Sequence, residues 1–231
     1  MLVIHELAHS APRARGAVTA HGITEREVAR RADHALRRRL SAAKHGLITI
    51  SGNLRSNIRR ANTRFVGAQT TGVEVCAVSL HFNSTPLEDC PGCGGKRHKG
   101  GVCQCGAPSQ VRWEFGHRAV VRYGSRHSSR LAREILRSIK TIIPWSEQRS
   151  MIIAGDPDIP DDCWPNTLLW PRTMFRPSAL IEIGFGPDPR FAEWIGNVAN
   201  QRAYGLAVAE GILAWRERMT LDKVPLADWK K

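Results

Sequence analysis

Four short apolar runs set the architecture. LVIHELA (2–8), GLITIS (46–51), VCAVSLHFNS (75–84) and SALIEIGFG (178–186) each suit a buried strand, and the first three are separated by segments with helical spacing. In TEREVARRADHALRRRL, Val28, Ala32, Leu36 and Leu40 recur every four residues and leave the arginines to the other faces. Thr24 and Glu27 have the spacing of a capping box at its start. NLRSNIRRANTRFVGA reads as a second amphipathic helix. Strands and helices alternating at this interval predict an α/β fold, a three-layer domain with a mostly parallel mixed sheet flanked by helices. In such sheets, sites form beyond the strand C-termini.

Further along, EFGHRAVVRYG predicts another strand, and HSSRLAREILRSIKTII a helix with Leu131, Ile135, Ile139 and Ile142 or Ile143 along one side. AGDPDIPDDCWPNTLLWPRTMFRP, with five prolines, predicts a long loop that helps build a groove. Asp188 and Pro189 suit the N-cap and first position of a long closing helix buried through Phe191, Trp194, Ile195, Val198, Leu206, Ile212 and Leu213. Between Pro86 and Gln110 the composition shifts to Gly, Pro, Cys and basic residues, which marks a small Cys-rich insertion. The predicted organisation is one catalytic domain over residues 1–217, the insertion at 86–110 within it, and a C-terminal tail at 218–231.

A formal charge of +13 and a pI near 10.3 predict a surface that attracts polyanions: nucleic acid, anionic lipid or an acidic wall polymer. MLVIHELAHS lacks the basic start and apolar stretch of a secretory signal, and no uncharged apolar run reaches the ~18 residues of a membrane span. The expectation is a protein made in the cytoplasm without an integral membrane segment.

Three residues at predicted strand and helix ends carry metal-binding chemistry: His9 after the first strand, Glu25 in the first turn of the first helix, and His81 after the third strand. Two imidazoles and a carboxylate with one open position are a recurrent ligand set for catalytic zinc. Glu182 interrupts an otherwise apolar strand, where an ionised carboxylate is costly unless it faces a polar site, so it is the candidate general base. Each residue has a plainer alternative: a hydrogen-bonded structural histidine, a favourable charge at a helix N-terminus, a buried acid paired with an arginine.

Taken in order, the motifs resemble the zinc-dependent N-acetylmuramoyl-L-alanine amidases of the amidase type 3 family. SLHFNS is similar to that family's second-histidine motif, RPSALIEIGF to its strand bearing the catalytic glutamate, and GITERE to the segment supplying its glutamate ligand. The resemblance spans Leu2 to about Ile195. It departs at the first turn, where HELAHSAP replaces an Asp-Pro-Gly-His-Gly type motif; His9 fits the first ligand position and His5 is its rival. The resemblance implies zinc held by His9, Glu25 and His81, proton transfer by Glu182, and hydrolysis of the amide joining the muramic acid lactyl group to L-alanine in peptidoglycan. Asn83 becomes a substrate-binding candidate, with a turn residue bonding its own backbone as the alternative. A divergent, signal-less branch of such a family implies a phage or prophage endolysin released to the wall by a holin-like membrane partner.

CPGCGGKRHKGGVCQC has the form Cys-x2-Cys-x9-Cys-x-Cys. Cys90, Cys93, Cys103 and Cys105 predict a second, structural zinc, with His98 able to replace one sulfur; two disulfides are the alternative. A zinc-knuckle nucleic-acid-binding protein is the rival reading from another class, but it leaves His81 and Glu182 unexplained, so no nucleic-acid partner is expected. A zinc peptidase or other amidohydrolase would use the same ligands on a different substrate.

Overall fold

The computed structural model describes residues 1–7, 16–52, 54–83, 87–89, 96–98, 118–121, 126–145, 151–154, 177–186 and 188–221. In chain order the elements are β1 (Leu2–Glu6), α1 (Glu25–Ala42), β2 (Gly46–Ile50), α2 (Leu54–Thr70), β3 (Val75–Asn83), β4 (Leu87–Asp89), β5 (Lys96–His98), β6 (Arg118–Val121), α3 (Arg126–Lys140), β7 (Met151–Ala154), β8 (Ser178–Phe185), α4 (Pro189–Gly196) and α5 (Val198–Leu221). Six strands form one sheet in the order β2-β1-β3-β8-β6-β7. The first four are parallel; β6 runs antiparallel to β8, and β7 parallel to β6. The mostly parallel mixed sheet expected from the alternation is therefore present. A separate antiparallel pair, β4 and β5, lies inside the insertion.

Alternation along the strands sorts their side chains between two layers. Val3, Cys76, Val78, Leu80, Ile181 and Ile183 join the main core with residues of α1, α3 and α5. Ile4, Val75 and Ala77 face the other way, toward Ala68 of α2. Burial pushes the Cys76 thiol up to about 12, so it behaves as a core side chain and not as a nucleophile. Among the described residues no helix is long and apolar enough to cross a membrane.

The capping box forms as the spacing predicts: Thr24 Oγ1 accepts the Glu27 N–H at 3.3 Å, and Glu27 Oε2 accepts the Thr24 N–H at 2.9 Å. Hydrogen bonds from the Thr24 backbone and hydroxyl hold the Glu27 carboxyl below its ordinary range. Thr24→Ala is expected to cost about 1 kcal/mol in denaturant unfolding. An unchanged midpoint would show that the cap contributes nothing here.

The expected closing helix needs correction: it is two helices. Asp188 caps α4 by accepting the Arg190 N–H at 3.0 Å, with Pro189 following as predicted, but the helix stops at Gly196. Asn197 then accepts the Ala199 N–H at 2.9 Å through its side chain and starts α5. Val198 and Leu206, expected on the buried face, are exposed; the packed side of α5 carries Gly205, Ala209 and Gly211 together with Tyr204, Val208, Ile212 and Trp215. One strand stands outside the expectations: β7, apolar and only four residues long, too short for pattern reading to pick out. The proline-rich segment lies outside the described residues, apart from Ala154 and Pro177 at its ends. Helix α5 continues past position 217 to Leu221, with Met219 buried.

Candidate active site

A polar row crosses three adjacent strands at their C-terminal ends. Register sets Glu6 of β1 opposite Ser79 of β3, and His81 of β3 opposite Glu182 of β8. Ser79 and His81, two residues apart, share a strand face. All four side chains are buried in a sheet otherwise made of apolar residues.

Glu25 reaches this row from the first turn of α1. Its Oε1 accepts a hydrogen bond from His81 Nδ1 at 2.6 Å and from the Phe82 backbone N–H at 3.3 Å; Oε2 accepts from the Ala17 N–H at 2.8 Å. The helix start explains why an acid is tolerated there, since unpaired N–H groups and the helix dipole favour negative charge. On its other side, His81 Nε2 lies 2.8 Å from Ser79 Oγ, which donates to Glu6 Oε2 at 2.5 Å. Glu6 Oε1 accepts from Asn57 Nδ2 at 3.0 Å. Glu6 Oε2 is itself 3.8 Å from Nε2, too far for a direct hydrogen bond, so the link runs through the serine.

The charges respond accordingly. Burial disfavours the His81 imidazolium, but the charge and hydrogen bond of Glu25, with Glu6 and the Glu182 charge behind them, hold its pKa well above the ordinary value. Burial likewise pushes the Glu6 carboxyl up, yet His81, Ser79 and Asn57 together bring it below the usual range. Below the row, the Tyr204 hydroxyl of α5 donates toward the Ile181 carbonyl at 3.3 Å and the His81 carbonyl at 3.5 Å. Burial, then the nearby Glu182 and Glu25 charges, push that phenol well up, so it stays a neutral donor.

Of the residues picked from sequence, Glu25, His81 and Glu182 come together. His9 and the four clustered cysteines lie outside the described residues; Asn83 ends β3, and its side chain lies outside them too. His5 goes elsewhere: fully buried, it donates from Nδ1 to Asp33 Oδ1 of α1 at 2.7 Å, and the Thr49 hydroxyl donates to the same oxygen at 2.6 Å. Burial opposes ionisation of Asp33, but the bond and charge of His5 outweigh it and keep that carboxyl below the ordinary range. Sequence reading missed Glu6, Ser79, Asn57 and Tyr204. Glu6 carried a usable signal, the same lone acid in an apolar strand that singled out Glu182.

Among the described residues no three His, Cys, Asp or Glu side chains form a metal cage. Glu25 Oε1 and His81 Nδ1 nevertheless meet at 2.6 Å, a carboxylate against an imidazole, the donor types of a catalytic zinc site. These two donor types fit zinc, which takes imidazole nitrogen and carboxylate oxygen.

Residues 6–214 match the profile of the family described as N-acetylmuramoyl-L-alanine amidase. No curated protein matches the chain in sequence. Among solved structures, the N-acetylmuramoyl-L-alanine amidase AmiC2 of Nostoc punctiforme superposes with a TM-score of 0.65 at 16% identity, covering 94% of this chain and 98% of the other. An N-acetylmuramoyl-L-alanine amidase from Clostridium difficile 630 gives 0.64 at 16% identity, over 94% and 96%. The catalytic domain of an endolysin targeting Clostridia Difficile gives 0.58 at 14% identity, over 93% and 97%. Likeness at these identities establishes the fold.

Proposed function

Because the chain belongs to the N-acetylmuramoyl-L-alanine amidase family, we propose that it hydrolyses the amide between N-acetylmuramic acid and L-alanine in peptidoglycan with zinc held by His9, Glu25 and His81 and with Glu182 as the proton-transfer group. The single observation that carries this reading is the meeting of His81 Nδ1 and Glu25 Oε1 at 2.6 Å beside Glu182, at the C-terminal edge of a parallel sheet. Zinc, when bound, supplies a Lewis acid that polarises the scissile carbonyl and acidifies water.

The chain's own groups do the rest. His81 gives a lone pair at Nδ1 once its proton there has left, and Glu25, anchored through the Ala17 and Phe82 backbone N–H groups, holds its carboxylate at the same point. Glu182 takes a proton from the attacking water and returns it to the departing amine nitrogen, because an amide nitrogen leaves poorly as an anion. Asn83, at the end of β3, is assigned to substrate contact. The net charge of +13 favours approach to an anionic wall. Cys90, Cys93, Cys103 and Cys105 are assigned to a second, structural zinc that orders the insertion around β4 and β5. An endolysin role, with synthesis in the cytoplasm and release by a holin-like partner, completes the reading.

Elemental analysis of the wild type, His81→Ala and the Cys90/Cys93 double serine variant tests it, together with a peptidoglycan digest assayed for new L-alanine amino groups. Two zincs per chain are expected, one lost in each variant, with the digest positive only where the His81 site is intact. Zinc content indifferent to His81, or a digest that frees no L-alanine amine, would overturn the assignment. Zinc content indifferent to the cysteine pair would overturn the second centre alone.

A further inference from the structure

We propose that Ser79 and Glu6 are positioning residues that fix the tautomer of His81, so that Nδ1 is the ring atom offered to the metal. This rests on the zinc reading of Glu25 and His81. A carboxylate only accepts, so the Ser79 hydroxyl, 2.5 Å from Glu6 Oε2, turns its proton toward Glu6. The serine then presents only lone pairs to His81 Nε2 at 2.8 Å, and Nε2 must carry hydrogen. In the neutral ring the free lone pair is left at Nδ1, which faces Glu25 Oε1. The proton now donated from Nδ1 to Glu25 is the one a metal replaces. Partners behind a metal-binding imidazole commonly govern its orientation and basicity.

The arrangement is built from three elements. Strand register brings Glu6 to Ser79, and α2 supplies Asn57, whose Nδ2 donates to Glu6 Oε1 at 3.0 Å. All four side chains are buried, so bulk water does not stand in for a missing member. Asn57 makes the relay directional. In a Glu6→Gln variant the asparagine N–H still needs an acceptor, so the glutamine oxygen turns to Asn57 and its NH2 to Ser79. The serine must then accept from residue 6 and donate to Nε2, which drives the ring proton onto Nδ1, the wrong atom. Changing Asn57→Asp in the same chain reverses the pair, returns the glutamine oxygen to Ser79 and restores the original tautomer.

The test measures zinc affinity by chelator competition for the binding step that His81→Ala removes, alongside thermal unfolding of the metal-free proteins. Glu6→Gln and Ser79→Ala are each expected to weaken zinc about 10- to 100-fold, and the Glu6→Gln/Asn57→Asp pair to recover near-wild-type affinity. If Ser79→Ala does not fold, the isosteric Glu6→Gln and its paired rescue carry the test. Wild-type affinity in Glu6→Gln would overturn the relay while leaving the zinc reading intact. A loss that tracks a lower metal-free melting temperature and is not recovered by the pair would mark a structural role and also overturn it. If His81→Ala binds zinc like the wild type, the zinc reading itself fails.

Discussion

Glu182→Gln is expected to keep its metal and leave the wall uncut, with kcat lower by about 10²- to 10⁴-fold. Glutamine matches the shape of the native side chain and keeps hydrogen-bonding capacity, but it cannot take up a proton at neutral pH. The position makes that loss specific. Glu182 is buried in β8, in register with His81, where an acid would be selected against unless its charge were used. Zinc content and melting temperature should stay at wild-type values, which separates a lost proton carrier from a disturbed fold. Turnover within tenfold of the wild type would remove Glu182 from the mechanism and direct attention to Glu6, the other buried acid of the row.

The second large effect concerns stability and comes from α5 lying in backbone contact with α1 and with α3. A Cβ placed on Gly205 of α5 would lie 2.1 Å from the Ala32 carbonyl oxygen of α1. At Gly211 it would lie 2.4 Å from the Ile135 Cα of α3. Backbone cannot rotate aside as a side chain can, so α5 would have to lift from its neighbours. Gly205→Ala is therefore expected to cost about 3 kcal/mol, the upper part of the overpacking range, or roughly 6–12 °C in Tm for a chain of this size. Gly67, exposed in α2 with nothing near its absent Cβ, is the internal control. There the same change should stabilise by up to about 1 kcal/mol, because alanine loses less backbone freedom on entering a helix. If both substitutions moved Tm in the same direction, close helix approach would not be what the glycine at 205 provides.

These glycines also explain where sequence reading stops. Periodicity weighs large apolar residues, and by that measure Val198 and Leu206 belong inside α5; the buried side in fact rests on Gly205, Ala209 and Gly211 beside Tyr204, Val208, Ile212 and Trp215. Local chemistry was easier to read. The Thr24/Glu27 box, the Asp188 and Pro189 helix start, and the strands ending near His81 and Glu182 all follow from short-range rules. The link from Glu6 through Ser79 to His81 does not, because it depends on β1 lying beside β3, and pairing order is a property of the whole sheet. Asn57 is further still from legibility: a polar residue in an amphipathic helix gives no sign that it will turn inward to a strand-end acid.

The place of β8 within the sheet has a consequence for the timing of activity during synthesis. This strand is the last of the large sheet's six in chain order, yet it sits between β3 and β6, both made earlier. Chains emerge N-terminus first, so Glu6, Glu25 and His81 leave the ribosome long before Glu182. Until β8 slots in, β3 has an open edge and the groups proposed to bind metal lack Glu182, the proposed proton carrier. On the proposed mechanism, a nascent or prematurely ended chain is catalytically silent, and the site is completed by the same late strand that closes the sheet.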